Sequence, residues 1–498
     1  MIETAIAPAP PDAREHSRLQ AVAAHRSRRR RVIALASIAT VFTAYATVVA
    51  AQRGFFDLQV YRGAISHWVR GGDLYAYTVP DTVYGFTYPP FAALAMLPMA
   101  ALPWAVVVIV SVAASAVATV AVLYWLAAPI ARRYGRNRSV MLALAATAVV
   151  GFEPIGDTLG FGQVNLLLLA LVTADLVLLT GRGRGSAGVL IGLATAVKLT
   201  PAIFIAYLLI SGRRRAAAVA TATAGGVTLT AAVVAPSASG EFWMRALWHT
   251  DRVGEASFVG NQSLYGMVAR FNPAHPSGLL WLALVGAVLA VWVVRVRAAV
   301  GSGDEKFGLA LTGIVACLVS PITWVHHMVW LLPAIVLLVD HALAEPARSR
   351  RRLWLLGGAV GSYALLTSRV VWLFDPRFTG WPAAGPGMLG SNLLVLVSLF
   401  LLAVTPARPQ RSPVPARAGG RPSGHPLPVT IGEARPRRHP GAVPRSAGAR
   451  RHPVRQREAA AVSAQVRHGR PALHRAAQRR LRGSNKVAAR RHPTLNGT

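Results

Sequence analysis

The chain has 498 residues, of which 53% are hydrophobic and 14% charged, with a formal net charge of +34. A soluble domain carries charge on about a quarter of its residues, so this composition excludes an ordinary soluble enzyme. Several apolar runs reach the roughly 17–25 residues that a membrane-spanning helix needs. About +19 of the charge lies in residues 406–498, and the rest falls mostly in short clusters between apolar runs. Such clusters report membrane orientation, not nucleic-acid binding.

Residues 1–31 read as a cytoplasmic basic N-terminus. The cluster "HRSRRRR" (His25–Arg31) precedes a full-length span at 32–50, and no small-residue cleavage site follows it, so no cleavable signal peptide is expected. Residues 51–90 then lie outside. Asp57 is placed to cap a helix over 58–70, with Leu58, Tyr61, Ile65, Trp68 and Val69 on one stripe and Arg62, Ser66 and Arg70 opposite. Gly71 and Gly72 supply the stop. A cap uses one carboxylate oxygen and is served as well by Ser or Asn, so capping and catalysis both remain open for Asp57. Tyr75, Tyr77, Tyr84, Phe86 and Tyr88 suit either an interfacial belt or a row for stacking on sugar rings. Tyr88–Pro89–Pro90 forces extended backbone before the next apolar run.

A span at 104–127 ends on the basic stretch 131–138, and spans at 139–152 and 164–180 bracket an outer "GFEPIGDTLGFGQVN". The run 187–210 has basic residues at both flanks, so a single crossing would break the charge rule. Lys198 and Pro201 at its centre predict a hairpin of two short segments whose broken middle reaches the outer side. Spans at 216–235, 278–295, 308–320, 327–343, 353–374 and 388–405 follow, with a second long outer loop at 236–277. The expectation is an all-α polytopic bundle of about 10–12 membrane segments with long extracytoplasmic loops and both termini cytoplasmic. Cys317, the one cysteine, lies in an apolar run and leaves no intramolecular disulfide. Residues 406–498, rich in Arg, Pro and Ala, lack the composition to bury a core. They read either as a polybasic segment on the anionic inner leaflet or as a non-selected extension from a shifted reading frame.

Polar groups recur at the outer edge: Glu153, Asp157, Gln163, Asn165, Lys198, Asn261, Gln262, His326, His327 and Arg369. Ionisable groups at membrane depth are functional candidates because their uncompensated burial is expensive. Adjacent histidines on a helix point about 100° apart, and no HExxH, DxD or CxxC pattern occurs. Neither a metal site nor a cofactor is expected.

The stretches "FFDLQVYRGA", "GGDLYA", "YPPFAAL", "GFGQVN", "AVKLTPAIF", "GNQSLYG" and "SPITWVHHMVW", in this order, resemble the polyprenyl-phosphate-mannose-dependent α-(1→2)-mannosyltransferases. These are GT-C-type membrane enzymes of mycobacterial-type cell envelopes, and the resemblance covers about residues 30–405. It implies a membrane-embedded glycosyltransferase domain over 32–405, a polyprenyl-phosphate-mannose donor and inverting transfer on the outer face of the membrane. It also implies a lipid-linked mannoside acceptor, such as a phosphatidylinositol mannoside, lipomannan or lipoarabinomannan, drawn from the membrane lipid. Inversion needs one general base, and the resemblance assigns that role to Asp57. A phosphate leaving group needs positive charge or donors nearby, which by chemistry and position suits Lys198, His326, His327 and Arg369. Gln163, Asn165, Asn261, Gln262, Tyr61 and Tyr88 are candidates for holding the sugar and acceptor. Alternatives are a transporter or flippase of a lipid-linked sugar, and an enzyme using polyprenyl-phosphate arabinose.

Overall fold

A computed structural model describes residues 53–134, 151–249, 253–375 and 386–407, with scattered residues between 19 and 48 and between 145 and 149. The N-terminus 1–31, the spans 32–50 and 139–152 and the tail from 408 fall wholly or largely outside the described residues. The protein is an all-α polytopic membrane protein. Among the described residues, β-pairing is limited to the isolated bridges Thr78–Gly85 and Asn261–Trp324.

Among the described residues, five helical stretches are long and apolar enough to cross a membrane: Trp104–Arg133, Asn165–Arg182, Arg214–Val234, Gly278–Ser302 and Val325–Ala344. The helices used below are α1 (Phe56–Val69), α2 (Pro90–Met96), α3 (Trp104–Arg133), α4 (Glu153–Phe161) and α5 (Asn165–Ala174). They continue with α6 (Val189–Val197), α7 (Ile203–Ile210), α8 (Arg214–Val234), α9 (Leu264–Phe271) and α10 (Gly278–Ala299). The last are α11 (Glu305–Val319), α12 (Leu332–Ala344), α13 (Arg350–Thr367) and α14 (Leu393–Val404). Several expected spans are thus helices shorter than the hydrocarbon core, which takes about 20 residues at 1.5 Å each.

The centre of the bundle is α11. Phe307 and every residue from Gly308 to Leu318 are buried, as expected of a helix that is apolar all round. It packs against α10, α12 and α14. The run 187–210 breaks at the place its lysine and proline indicate. Lys198 takes extended angles (φ −148°, ψ 135°) after α6, and Pro201 lies in a 3₁₀ turn before α7. Asp175, fully buried, anchors the opposite end of α6. Its carboxylate accepts the N–H groups of Gly188 (2.8 Å), Leu190 (2.9 Å) and Ile191 (3.1 Å), which are orphan donors at the start of α6.

The loop that precedes α3 has its own core, separate from the bundle core. Leu58, Tyr61 and Ile65 from α1 meet Tyr75, Phe86, Tyr88 and Phe242 there. Two expectations change here. Helix α1 begins at Phe56, its N-cap is Phe55 in the left-handed region (φ 53°), and no side chain caps it. Asp57 therefore sits inside the first turn and is not the cap. The aromatic row is mostly interior: Tyr75 donates to the Tyr88 carbonyl at 2.7 Å, Phe86 is buried, and Tyr77 lies against Gly63. Of that row Tyr84 is the exposed member, as is Val69 of the expected stripe.

Candidate active site

The site is assembled where α1 meets the turn after α4. That helix ends at Gly162, whose φ of +72° favours glycine. A Cβ there would stand 2.6 Å from Leu58 Cβ, so the missing side chain is also what lets α1 approach. The next residue, Gln163, reaches across the contact. Its Nε2 donates to Asp57 Oδ2 at 2.8 Å, and its Oε1 accepts from the Tyr88 hydroxyl at 2.7 Å. Tyr88 has given away its only proton, so Tyr61, 2.9 Å away, donates to Tyr88.

The second half of the site comes from the broken hairpin and a strap before α12. Lys198 Nζ lies 3.4 Å from the Tyr88 oxygen, 3.1 Å from Asn165 Oδ1 and 3.1 Å from His327 Nε2. His327 stands on the 3₁₀ turn Val325–Leu331, and the Trp324 N–H donates to its Nδ1 at 3.2 Å. His326 is turned away from that contact. Its ring faces Phe161 at 5.4 Å between centroids, and its Nε2 is buried with no hydrogen-bond partner. A small cleft opens beside Lys198, lined in part by Asn165, Cys317, Thr323, His327 and Trp330.

Burial pushes the Asp57 carboxyl up to about 6, against the hydrogen bond from Gln163 and the Lys198 charge, which both pull it down. Burial likewise raises the Tyr61 and Tyr88 phenols, which therefore serve as neutral hydrogen-bonding groups. One carboxylate poised near neutrality stands at one end of this chain and a nitrogen pair at the other. The first can take a proton, and the second can hold an anion.

Thus Asp57, Gln163, Tyr61, Tyr88, Asn165, Lys198 and His327 are brought together, and four other candidates are not: His326, whose ring packs against Phe161, and Asn261, Gln262 and Arg369. Asn261 and Gln262 are fully buried, and their amides are committed to backbone. Asn261 donates to Ala256 and Pro321 carbonyls and accepts from Thr323 N–H. Gln262 donates to Val259 and Ser391 carbonyls and accepts from Leu394 and Val395 N–H. With both donors and the acceptor of each amide occupied, Asn261 braces the segment that leads into the His327 strap and Gln262 braces the start of α14, and neither has anything left for a sugar. Arg369, left-handed at φ 55°, is drawn to Glu153 and Asp157, 3.6 Å from each.

Those acids form a separate cluster. Arg53 binds Asp157 at 3.0 Å and Trp372 Nε1 donates to Glu153 at 2.6 Å. Burial raises Glu153 to about 7 and raises Asp157 against the pull of Arg53 and Arg369. Sequence reasoning missed Arg53, Trp372 and Asp175. The i, i+4 spacing of Glu153 and Asp157 was the available signal that they share a helix face.

An apolar helix bundle that holds a near-neutral carboxylate and a lysine side chain at its rim has the parts of a membrane-embedded glycosyltransferase, and comparison with known proteins assigns the chain to that class. The description "Glycosyltransferase family 87" matches residues 86–321. A polyprenol-phosphate-mannose-dependent α-(1-2)-phosphatidylinositol mannoside mannosyltransferase of Mycobacterium tuberculosis is 32% identical over 298 residues, 57% of this chain and 69% of that protein. Its namesake in Mycolicibacterium smegmatis is 34% identical over 335 residues, 62% and 74% of the two chains. A phosphatidylinositol pentamannoside mannosyltransferase of the latter organism, with the same donor in its name, is 33% identical over 356 residues, 69% and 82%. No solved structure matches. The chain belongs to glycosyltransferase family 87 and is a glycosyltransferase.

Proposed function

We propose that this glycosyltransferase moves mannose from polyprenyl-phosphate-mannose to a lipid-linked mannoside of the phosphatidylinositol mannoside type, forming an α-(1→2) linkage on the outer face of the membrane. The observation that carries the reading is the chain Asp57–Gln163–Tyr88–Lys198, which links one carboxylate to one lysine nitrogen through two oriented side chains. A β-linked donor and an α-linked product require a single displacement at the anomeric carbon. The acceptor hydroxyl attacks from the face opposite the phosphate and gives its proton to a base.

Asp57 is that base. Burial brings its pKa near the operating pH, where a general base is most effective. Gln163 fixes the orientation of the carboxylate. The donor phosphate departs as an anion without a general acid, and Lys198 with His327 stabilises the charge it develops. Tyr61, Tyr88 and Asn165 hold Lys198 and Gln163 in register, and residues 32–405 form the catalytic domain.

The test is transfer in isolated membranes from polyprenyl-phosphate-mannose to a phosphatidylinositol mannoside, with the product linkage read by NMR. Asp57→Asn and Asp57→Ala are each expected to lose at least about 10²-fold in rate, the lower end of a general-base contribution. Full activity in both variants sinks the assignment. Faster transfer from polyprenyl-phosphate arabinose sinks the choice of donor.

A further inference from the structure

The hydrogen bonds around Lys198 close in only one protonation state. The Trp324 backbone N–H is an obligatory donor, and it points at His327 Nδ1. A neutral imidazole carries one proton, so Nδ1 must supply its lone pair and the proton must sit on Nε2. That Nε2–H faces Lys198 Nζ at 3.1 Å. An ammonium has three N–H groups and no lone pair, so a charged lysine would set donor against donor. An uncharged amine has two N–H groups and one lone pair. The two N–H groups go to the Tyr88 oxygen and to Asn165 Oδ1, and the lone pair accepts from His327. The Tyr88 ring, 5.1 Å from Nζ, could take a cation, but it does not relieve the opposed N–H of His327.

We infer that Lys198 is an uncharged amine in the empty enzyme and takes up one proton from solvent when the donor's phosphate binds beside it. The inference rests on the proposed placement of that phosphate at Lys198. The proton balance follows from linkage: an anion that binds only the ammonium draws the proton in, and its departure returns the proton to solvent. The third N–H of the ammonium then points at phosphate oxygen, and His327 swings its Nε2–H to the same anion.

The other titratable groups facing Lys198 are Asp57 on α1, Tyr88 with Tyr61 behind it, Cys317 on α11, and His326 beside His327. Asp57 is the one whose state changes in consequence. The Lys198 charge lowers the Asp57 pKa, so that support is absent until the donor arrives. Donor binding thereby readies the base for the acceptor, and an acceptor hydroxyl that arrives first meets a weaker tendency to ionise.

The chain contains only three lysines, Lys198, Lys306 and Lys486, which makes the protonation state directly observable. Full-length protein in detergent, labelled with ¹⁵N at lysine Nζ, gives three side-chain signals, and amine and ammonium differ in chemical shift. Lys198→Arg removes the signal in question. If that variant fails to fold, Lys306→Arg with Lys486→Arg leaves Lys198 as the single lysine. The probe is a short-chain prenyl methyl phosphodiester, which is a monoanion at every pH used and cannot transfer a sugar.

At neutral pH the Lys198 signal is expected at the amine position in the empty enzyme and at the ammonium position when the phosphodiester saturates. Calorimetry in two buffers of different ionisation enthalpy should read roughly one proton taken up per ligand by the wild type, and none by Lys198→Arg. An ammonium signal in the empty enzyme overturns the inference, while a further response of that signal to the phosphodiester keeps the donor site. An amine signal unchanged by saturating phosphodiester overturns the inference together with the placement of the phosphate.

Discussion

Asp57 and Gln163 act as one unit, and pH separates their contributions. The Asp57 carboxyl is raised to about 6 by burial, so the base form is present above that pH and is lost as pH falls through it. The acidic limb of kcat, which reads the donor-bound enzyme with Lys198 charged, is expected to bend near 6. Gln163 lowers the pKa through its hydrogen bond, so Gln163→Ala moves the limb to higher pH. It should also cost up to about 10²-fold in kcat, because the carboxylate loses its fixed orientation. A limb that stays in place would mean that another group controls it. Gln262→Ala should behave differently. It orphans the buried N–H groups of Leu394 and Val395 and two carbonyls, at about 1–3 kcal/mol for each group left unsatisfied. Thermal unfolding should shift markedly downward while KM for the mannoside is unchanged. At this scale the sequence misled where residue type alone was used. An outer-edge Asn–Gln pair looks the same whether it holds a sugar or braces backbone, and only the partners decide.

Among the elements, the turn from α4 to α5 is the most sensitive. Gly162 combines a positive φ with the Leu58 contact at 2.6 Å. Gly162→Ala therefore adds about 1–2 kcal/mol of left-handed strain to an overpacking cost of about 1–3 kcal/mol. The expected relief is a shift of α1 away from Gln163, so activity should fall by more than stability does. A variant with wild-type kcat and a lowered melting temperature would show that the contact is only structural. The hairpin break was legible because Lys198 and Pro201 both oppose a continuous helix in an apolar run, and the flanking charges independently forbade a single crossing. The loop aromatics were less legible. Their spacing fits a belt, a sugar platform and a small core equally, and the core formed because α1, α2 and Phe242 supply its other walls.

Across the molecule, the basic stretch that follows α12 and the candidate site lie at opposite ends of the bundle. Trp104, the first residue of α3, meets Phe55 beside the candidate site, whereas Arg133 ends the same 30-residue helix, about 44 Å away at 1.5 Å per residue. At that far end Arg133 pairs with Asp340 at 3.0 Å. The basic stretch that follows α12, Arg348 and Arg350–Arg352, leaves from the same end. Basic residues favour the cytoplasmic side, and the proposed transfer on the outer face therefore expects Asp57 and the first loop outside. Cysteine labelling checks this, because the native Cys317 is buried and stays silent. Val83, 65% exposed in the first loop, and Arg348, exposed after α12, are the positions to use. In intact cells a membrane-impermeant maleimide should label Val83→Cys and leave Arg348→Cys unmodified until the membrane is opened. The reverse pattern would put the carboxylate in the cytoplasm, where a donor held on the outer leaflet could not reach it.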